Sequence, residues 1–322
     1  MKLSNPAQGA ILNGTGAIPD KIDQRDYKYE MPFGAAPLPI NYYIAVDKIE
    51  NQNGSLSCVG QAWATYLQIL EKSESGAFTD LSAKSIYSQI FVPTGGAQIR
   101  DGGKLAVNFG VNKEATVSSY NNGVPPNEDF MRQTDWLNDA TKTEAKIFQS
   151  KEYRTIEHGG NINVIKQAIL DNSGVVSGFI VSMEGWVTGD VRPPQAGEAQ
   201  YGHAVFFYGW EGDEILFVNS WGENWGYQGK GKVDPLYWSN TGWSFSLWTL
   251  TDKPNKDMKF VKSLNSDKKL WVILDGKRYW ITNPHSLDTI GVRAEVDFVE
   301  ENIVQYPYGS QIAFLNADDP LK

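Results

Sequence analysis

The only cysteine of the chain, Cys58, lies where a short polar loop passes into a helical pattern of apolar residues. Ala62, Tyr66 and Leu70 recur at the spacing of one helix face, and Ser57 offers a capping oxygen just before them. Unpaired N–H groups and the macrodipole at a helix N-terminus stabilise a thiolate, so we expect a lowered pKa for this thiol. The position suits an attacking cysteine, although a lone cysteine is more often a small buried hydrophobic residue.

The composition limits the class of protein. A chain of 322 residues with 41% hydrophobic and 21% charged residues is ordinary for a soluble globular protein of one large domain or two smaller ones. Its net charge of −9 argues against a nucleic-acid or anionic-membrane partner. We see neither a signal peptide nor a membrane helix, and one cysteine forms no intramolecular disulfide. The expected location is the cytoplasm or a larger particle.

The order of the patterns predicts an α+β fold. Residues 1–40 are rich in Gly, Pro, Asn and Asp and are predicted to form an extended arm. Helical periodicity dominates up to residue 172, and β-rich runs follow at 174–183, 203–210 and 214–221. The polar run near 251–257 predicts a boundary, which gives a main domain at 41–255 and a small β-rich module at 256–322. In that module Asp275-Gly276 is typical of a tight hairpin turn.

A cysteine nucleophile needs a base, a group that orients the base, and donors for the oxyanion. His203 begins a β run, and Asn219 ends the next one, so a hairpin could bring the amide beside the imidazole. Gln52, six residues before Cys58, could donate to the oxyanion together with the Cys58 backbone N–H. His158 and His285 have no such partners in the sequence and are predicted to be surface residues.

Three blocks in this order resemble the papain-like cysteine peptidases: Q-N-G-S-L-S-C-V-G-Q-A-W-A, G-H-A-V-F-F-Y-G-W and V-N-S-W-G-E-N-W-G-Y-Q-G-K-G-K-V. The resemblance implies a helical N-terminal lobe and an antiparallel, β-barrel-like C-terminal lobe, with no metal or cofactor. It implies Cys58 as nucleophile, His203 as base and Asn219 as its orienting group. It also implies Gln52 as an oxyanion donor and Trp221 as the indole that shields the Asn–His contact and lines the leaving-group side.

A weaker match lies in the middle of the chain. D-G-G at 101–103 occupies about the place where the family pairs a Gly-Gly backbone with substrate, which suggests Gly102 and Gly103 as substrate-binding residues. The chain departs from the family at Val59, Ser55 and Leu56, which stand where a tryptophan, a disulfide cysteine and a glycine are usual. The arm at 1–40 is shorter than the family's inhibitory propeptide, so control of that kind is not expected.

The sequence therefore predicts a cysteine-type peptidase that hydrolyses polypeptides through a Cys-His-Asn triad and a thioester acyl-enzyme. Two alternatives stay open at this point. One is a catalytically silent or structural papain-fold component of a larger assembly, such as a viral or secretion particle. The other is a peptide ligase or acyl transferase that uses the same triad. A protein partner docking on residues 256–322 or on the arm is a further hypothesis.

Overall fold

The computed structural model describes residues 15–32, 35, 37–120, 127–239 and 242–251, and the backbone of strands at 259–263, 270–274, 277–280 and 298–301. The chain divides into two compact units, Met1–Asp252 and Lys253–Lys322. The first unit therefore ends close to the position where the sequence predicts the boundary of the main domain.

Most helices of the larger unit precede its long strands. Its described helices are α1 (Cys58–Ser75), α2 (Ala83–Ile90), α3 (Ile99–Asn108), α4 (Glu128–Arg132), α5 (Asp139–Ala145), α6 (Ile162–Asn172) and α7 (Leu236–Ser239). Short 3₁₀ segments follow at Lys146–Phe148 and Glu184–Trp186. Among the residues that the structure describes, no helix is long and apolar enough to span a membrane.

Helix α1 is the central one of these helices. All its residues from Cys58 to Leu70 are buried, so the predicted apolar stripe is only part of a helix enclosed on every side. The helix ends where Gly76 adopts a left-handed conformation with φ of 77° and donates its N–H to the Lys72 carbonyl. Ser82 caps the next helix, α2, by accepting the Ser85 N–H.

Strands dominate the second half. The strands of the larger unit are β1 (Ala17–Ile18), β2 (Asn41–Tyr43), β3 (Ala97–Gln98), β4 (Tyr153–Thr155), β5 (Val175–Val181), β6 (Asp190–Val191), β7 (Tyr201–Glu211), β8 (Glu214–Val218), β9 (Lys230–Val233) and β10 (Ser244–Leu250). The main sheet has the order β4-β10-β5-β7-β8-β9-β6, with β2 paired to β7. Only the β6–β9 pairing within it is parallel.

Strand β7 connects the two hydrophobic cores. Ala204 and Phe206 on one face pack into the cluster that holds Cys58 and the helices α1–α3. Val205 and Phe207 on the other face pack into a cluster formed mainly by strands and α6. Because side chains alternate along a strand, β7 separates a helical half from a β-rich half and places its first residues beside the N-terminus of α1.

The smaller unit has the sheet order β13-β12-β11-β14, formed by β11 (Lys259–Ser263), β12 (Leu270–Leu274), β13 (Lys277–Trp280) and β14 (Phe298–Glu301). Strands β12 and β13 pair antiparallel, as the predicted hairpin requires, and β11 pairs in parallel with β14. The predicted turn at Asp275-Gly276 and the predicted surface residue His285 lie outside the described residues.

Candidate active site

The nucleophile candidate is the first residue of α1. Cys58 is completely buried, and its sulfur lies within hydrogen-bonding reach of the backbone N–H groups of Val59, Ala204 and Ala17. Ala204 directly follows His203 on β7, so one of the N–H groups that approach the sulfur belongs to the residue after the histidine. Ala17 belongs to the N-terminal arm, which the sequence does not connect with this site.

The pKa of the Cys58 thiol departs from the sequence-based expectation. Burial raises it to about 12, although the N–H groups around the sulfur act in the opposite direction. The expectation of a lowered pKa is therefore wrong for this state of the molecule. Protein encloses the sulfur completely, and this desolvation outweighs the stabilisation that the helix N-terminus gives to a thiolate.

The base candidate is held by an amide and two indoles. The Nε2 atom of His203 lies 2.8 Å from Asn219 Oδ1. Trp221 stacks on the imidazole with ring centroids 4.7 Å apart, and Trp186 meets it edge-on at 5.5 Å. Sequence patterns did not point to Trp186, because it lies in a 3₁₀ segment without a recognisable motif.

The other imidazole nitrogen is available for proton transfer. Among the described residues, Nδ1 of His203 is buried and has no hydrogen-bond partner. Burial lowers the pKa of His203 to about 4, although the Asn219 contact raises it. The Cys58–His203 pair is therefore a neutral thiol and a neutral imidazole at pH 7 in this state.

Acidification is expected to destabilise the fold through His203. Its pKa is about 4 in the folded chain and 6.5 ordinarily, so between these values the unfolded chain binds more protons. The free energy of unfolding then falls by about 3 kcal/mol as the pH drops from about 6.5 to about 4. Urea unfolding of the wild type and His203→Gln at both pH values measures this contribution. An equal loss in both proteins would contradict it.

Gln52 lies in the same site and is completely buried. Its Oε1 accepts from Ser220 Oγ at 2.5 Å, and its Nε2 donates to the Ser55 carbonyl at 2.8 Å. The Gln52 N–H also donates to the Ser220 carbonyl. The residue after Asn219 therefore fixes the side chain of Gln52, a role for Ser220 that the sequence analysis missed.

The substrate glycines need a correction. The structure places Gly102 and Gly103 inside α3 and buries both. A Cβ atom at Gly102 would lie 2.1 Å from the Trp63 ring, so this glycine serves helix packing. The earlier pair, Gly95 and Gly96, instead reaches the loop before Cys58, because Leu56 contacts Gly95. The glycine pair beside the nucleophile loop is therefore Gly95–Gly96, which we call the glycine rim.

The N-terminal arm occupies the space between this rim and β7. The Gly16 N–H donates to the Gly202 carbonyl at 2.8 Å, and the Ala97 N–H donates to the Gly16 carbonyl at 2.9 Å. The arm runs parallel to β3, with Ala17 opposite Ala97. The Ala17 side chain is 2% exposed and packs in the same cluster as Cys58. The arm therefore covers the candidate nucleophile.

A polar anchor holds the arm in this position. Asp20 accepts the Arg100 N–H at the start of α3 and the Trp248 indole N–H at 2.6 Å. Arg100 in turn binds Asp26 through Nη1 at 2.9 Å. Burial raises the pKa of Asp20, so the carboxyl group binds a proton more tightly in the docked arm than it would in a released arm. Acid therefore does not weaken this anchor.

Comparison with known proteins assigns the family. The sequence pattern of the papain family cysteine proteases matches residues 43–234, which is more than half of the chain. The chain belongs to this family. An uncharacterised peptidase C1-like protein of Acanthamoeba polyphaga mimivirus is 28% identical over 123 residues, which cover 34% of this chain and 40% of that protein. The chain thus matches less than half the length of that relative.

Solved structures share the fold. Xylellain, a cysteine protease from Xylella fastidiosa, superposes with a TM-score of 0.65 and 24% identity, covering 74% of this chain and 96% of its own. A procathepsin B from Trypanosoma congolense gives 0.59 and 15% identity, with 77% and 89% covered. The predicted papain-like α+β fold is thereby confirmed.

Proposed function

We propose that this chain is a cysteine peptidase that hydrolyses peptide bonds through a thioester on Cys58. The observation that carries the proposal is the setting of His203. One ring nitrogen contacts Asn219, the other is unpaired among the described residues, and the next residue along β7 approaches the Cys58 sulfur. A base that is fixed on one side and free towards a thiol suits nucleophilic catalysis.

The reaction follows from these positions. The Cys58 thiol transfers its proton to Nδ1 of His203, and the sulfur attacks the peptide carbonyl. The Cys58 backbone N–H and the Gln52 amide donate to the oxyanion. The C–N bond then breaks, and the His203 imidazolium protonates the leaving amine. Water, deprotonated by His203, attacks the thioester, releases the carboxylic acid and restores the thiol.

The position of the arm determines whether a peptide can reach Cys58. Gly16 and Ala17 occupy the cleft, so a peptide reaches Cys58 only after this segment moves. Displacement also admits water, which lowers the pKa of the thiol and raises that of the imidazole towards their ordinary values. The docked arm thus corresponds to a latent enzyme. The expectation that the arm does not control activity is replaced by this proposal.

Isotope labelling tests hydrolysis directly. In H₂¹⁸O, a peptide substrate is expected to yield one ¹⁸O per new carboxylate, with a transient acyl adduct on Cys58 in acid-quenched protein. Mass spectrometry of the products and of the intact protein measures both. Joined peptides instead of ¹⁸O-labelled acids would indicate a ligase. Neither cleavage nor an adduct, with the arm displaced as well as docked, would favour a structural component and reject the proposal.

A further inference from the structure

A glutamate outside the four catalytic candidates connects the loop before Cys58 with the Gly95–Gly96 rim. Glu128 is the first residue of α4, and its Oε2 accepts the Leu56 N–H at 2.7 Å. Its Oε1 accepts the Tyr87 hydroxyl at 2.7 Å and Arg132 Nε at 2.6 Å. The Tyr87 oxygen also accepts the Gly96 N–H at 3.0 Å. The carboxylate therefore binds the nucleophile loop directly, through Leu56, and reaches the glycine rim through the Tyr87 hydroxyl.

The backbone N–H of Leu56 is bound from outside the loop, whereas Ser55 is bound to Gln52 and Ser57 within it. Leu56 lies two residues before Cys58, and Ser57, the N-cap of α1, makes no side-chain capping bond with the helix. The chain has a single cysteine, so no disulfide can tie this loop to the neighbouring rim. The Glu128 contact is the hydrogen bond that the structure gives to the Leu56 N–H. A shift of Leu56 would therefore displace the Cys58 N–H, a proposed oxyanion donor.

The groups around Glu128 stabilise the hydrogen bonds that its carboxylate makes. Arg132 compensates the carboxylate from within the same short helix, and both side chains are less than one-third exposed. Burial, and after it the charge of Glu128, raises the pKa of Tyr87. The phenol therefore stays protonated, and its O–H donates a hydrogen bond to the carboxylate. A charged acceptor on a backbone N–H also makes a shorter and stronger hydrogen bond than a neutral one.

We propose that Glu128 is a positioning residue that holds the Leu56–Cys58 loop against the Gly95–Gly96 rim and so aims the oxyanion donors. This inference rests on the proposed function, because it assigns Glu128 a part in the same reaction. Glu128 itself contacts neither Cys58 nor His203 through a hydrogen bond in the described residues. Its hydrogen bonds act through the backbone of Leu56 and the hydroxyl of Tyr87, while its charge, in addition to burial, raises the pKa of Cys58.

The test compares Glu128→Ala and E128Q with a matched control, Glu152→Gln. Glu152 also pairs with an arginine, Arg154, but lies beside β4, which β10 and β5 separate from β7. Backbone hydrogen exchange, read by mass spectrometry, is expected to become faster at Leu56 and Gly96 in both Glu128 variants and to stay unchanged in the control. Unchanged exchange in Glu128→Ala would overturn the connection.

The catalytic readout is kcat for each Cys58 that an alkylating agent can titrate. This normalisation removes inaccessible chains from the comparison, and near-UV circular dichroism of each variant checks that the titrated chains are folded. We expect kcat to fall about 10-fold to 100-fold in Glu128→Ala while KM changes little, because the displaced donors act mainly on the transition state. Glu152→Gln should match the wild type. An unchanged kcat would overturn the positioning role, whereas a wild type that cleaves no peptide even after the N-terminal arm has been displaced would reject the proposed function itself.

Discussion

Replacement of Cys58 by serine is expected to reduce peptide cleavage by roughly 10⁴-fold or more. A serine hydroxyl is far less acidic than a thiol, so it gives its proton to a neutral imidazole much less readily. The imidazole therefore cannot activate a hydroxyl in the site as it can a thiol. The substitution removes little volume, so the melting temperature should change little. Steady-state cleavage of a peptide library by both purified proteins measures the loss.

Two further variants show whether the loss comes from the proposed machinery. Because Cys58 is the only cysteine, iodoacetamide should label the wild type at one residue and leave Cys58→Ser unlabelled. His203→Gln should lose about as much activity as Cys58→Ser, and the double variant should lose little more, since residues that act as one unit are not additive. Cleavage that persists in Cys58→Ser would assign the activity to another group.

The relative positions of the candidate site residues were predictable because each lies in a distinctive local pattern. Cys58 begins a helix, His203 and Asn219 lie near the ends of paired strands, and Gln52 precedes the nucleophile at a fixed interval. A sequence pattern predicts which residues contact one another when it also predicts the helices or strands on which those residues lie. The hairpin of β7 and β8 shows this, because its register pairs Phe206 with Val218 and so brings His203 towards Asn219.

The choice between two glycine pairs was not predictable from local sequence. Residues 94–103 contain both Gly95–Gly96 and Gly102–Gly103, and either pair suits a turn or a close backbone approach. Tertiary packing decides between them. The indole of Trp63 donates to the Ile99 carbonyl and lies against α3, which requires a residue without a side chain at Gly102.

The state of the thiol was unpredictable for a similar reason. The helix start at Cys58 correctly indicates backbone N–H groups near the sulfur. It carries no information about desolvation, which depends on Ala17 and on the arm crossing from a distant part of the chain. Gly and Pro in that arm indicate an extended conformation but not the surface that it covers. The arm therefore changes the pKa of the thiol through a tertiary contact that no local sequence pattern indicates.

Gly16 offers a way to displace the arm without altering the catalytic candidates. Its φ is +152°, a conformation that residues with a side chain rarely adopt. A Cβ atom there would lie 2.3 Å from the Leu56 carbonyl oxygen, which belongs to the backbone and cannot rotate away. Gly16→Ala should therefore push the segment out of the cleft, and Ala17 with it, while the Asp20 anchor stays in place.

We expect Gly16→Ala to increase both alkylation of Cys58 and peptide cleavage. Burial in the docked state raises the pKa of the thiol to about 12, so release of the arm should lower this pKa and increase the thiolate fraction at pH 7, by about 10-fold for each unit by which the pKa falls. Iodoacetamide labelling at pH 7, followed by mass spectrometry, measures this change. Gly159→Ala is the matched control, because Gly159 also has a positive φ but its Cβ would meet no atom within 4 Å.

The two measurements together separate release of the arm from damage to the site. Faster alkylation with faster cleavage is the result expected if the docked arm keeps the enzyme latent. Faster alkylation without faster cleavage would mean that the shift also disturbs Leu56 and the oxyanion donors beyond it. Equal alkylation in Gly16→Ala, Gly159→Ala and the wild type would contradict latency, because it would mean that the arm already leaves Cys58 freely and that the docked state does not limit the reaction.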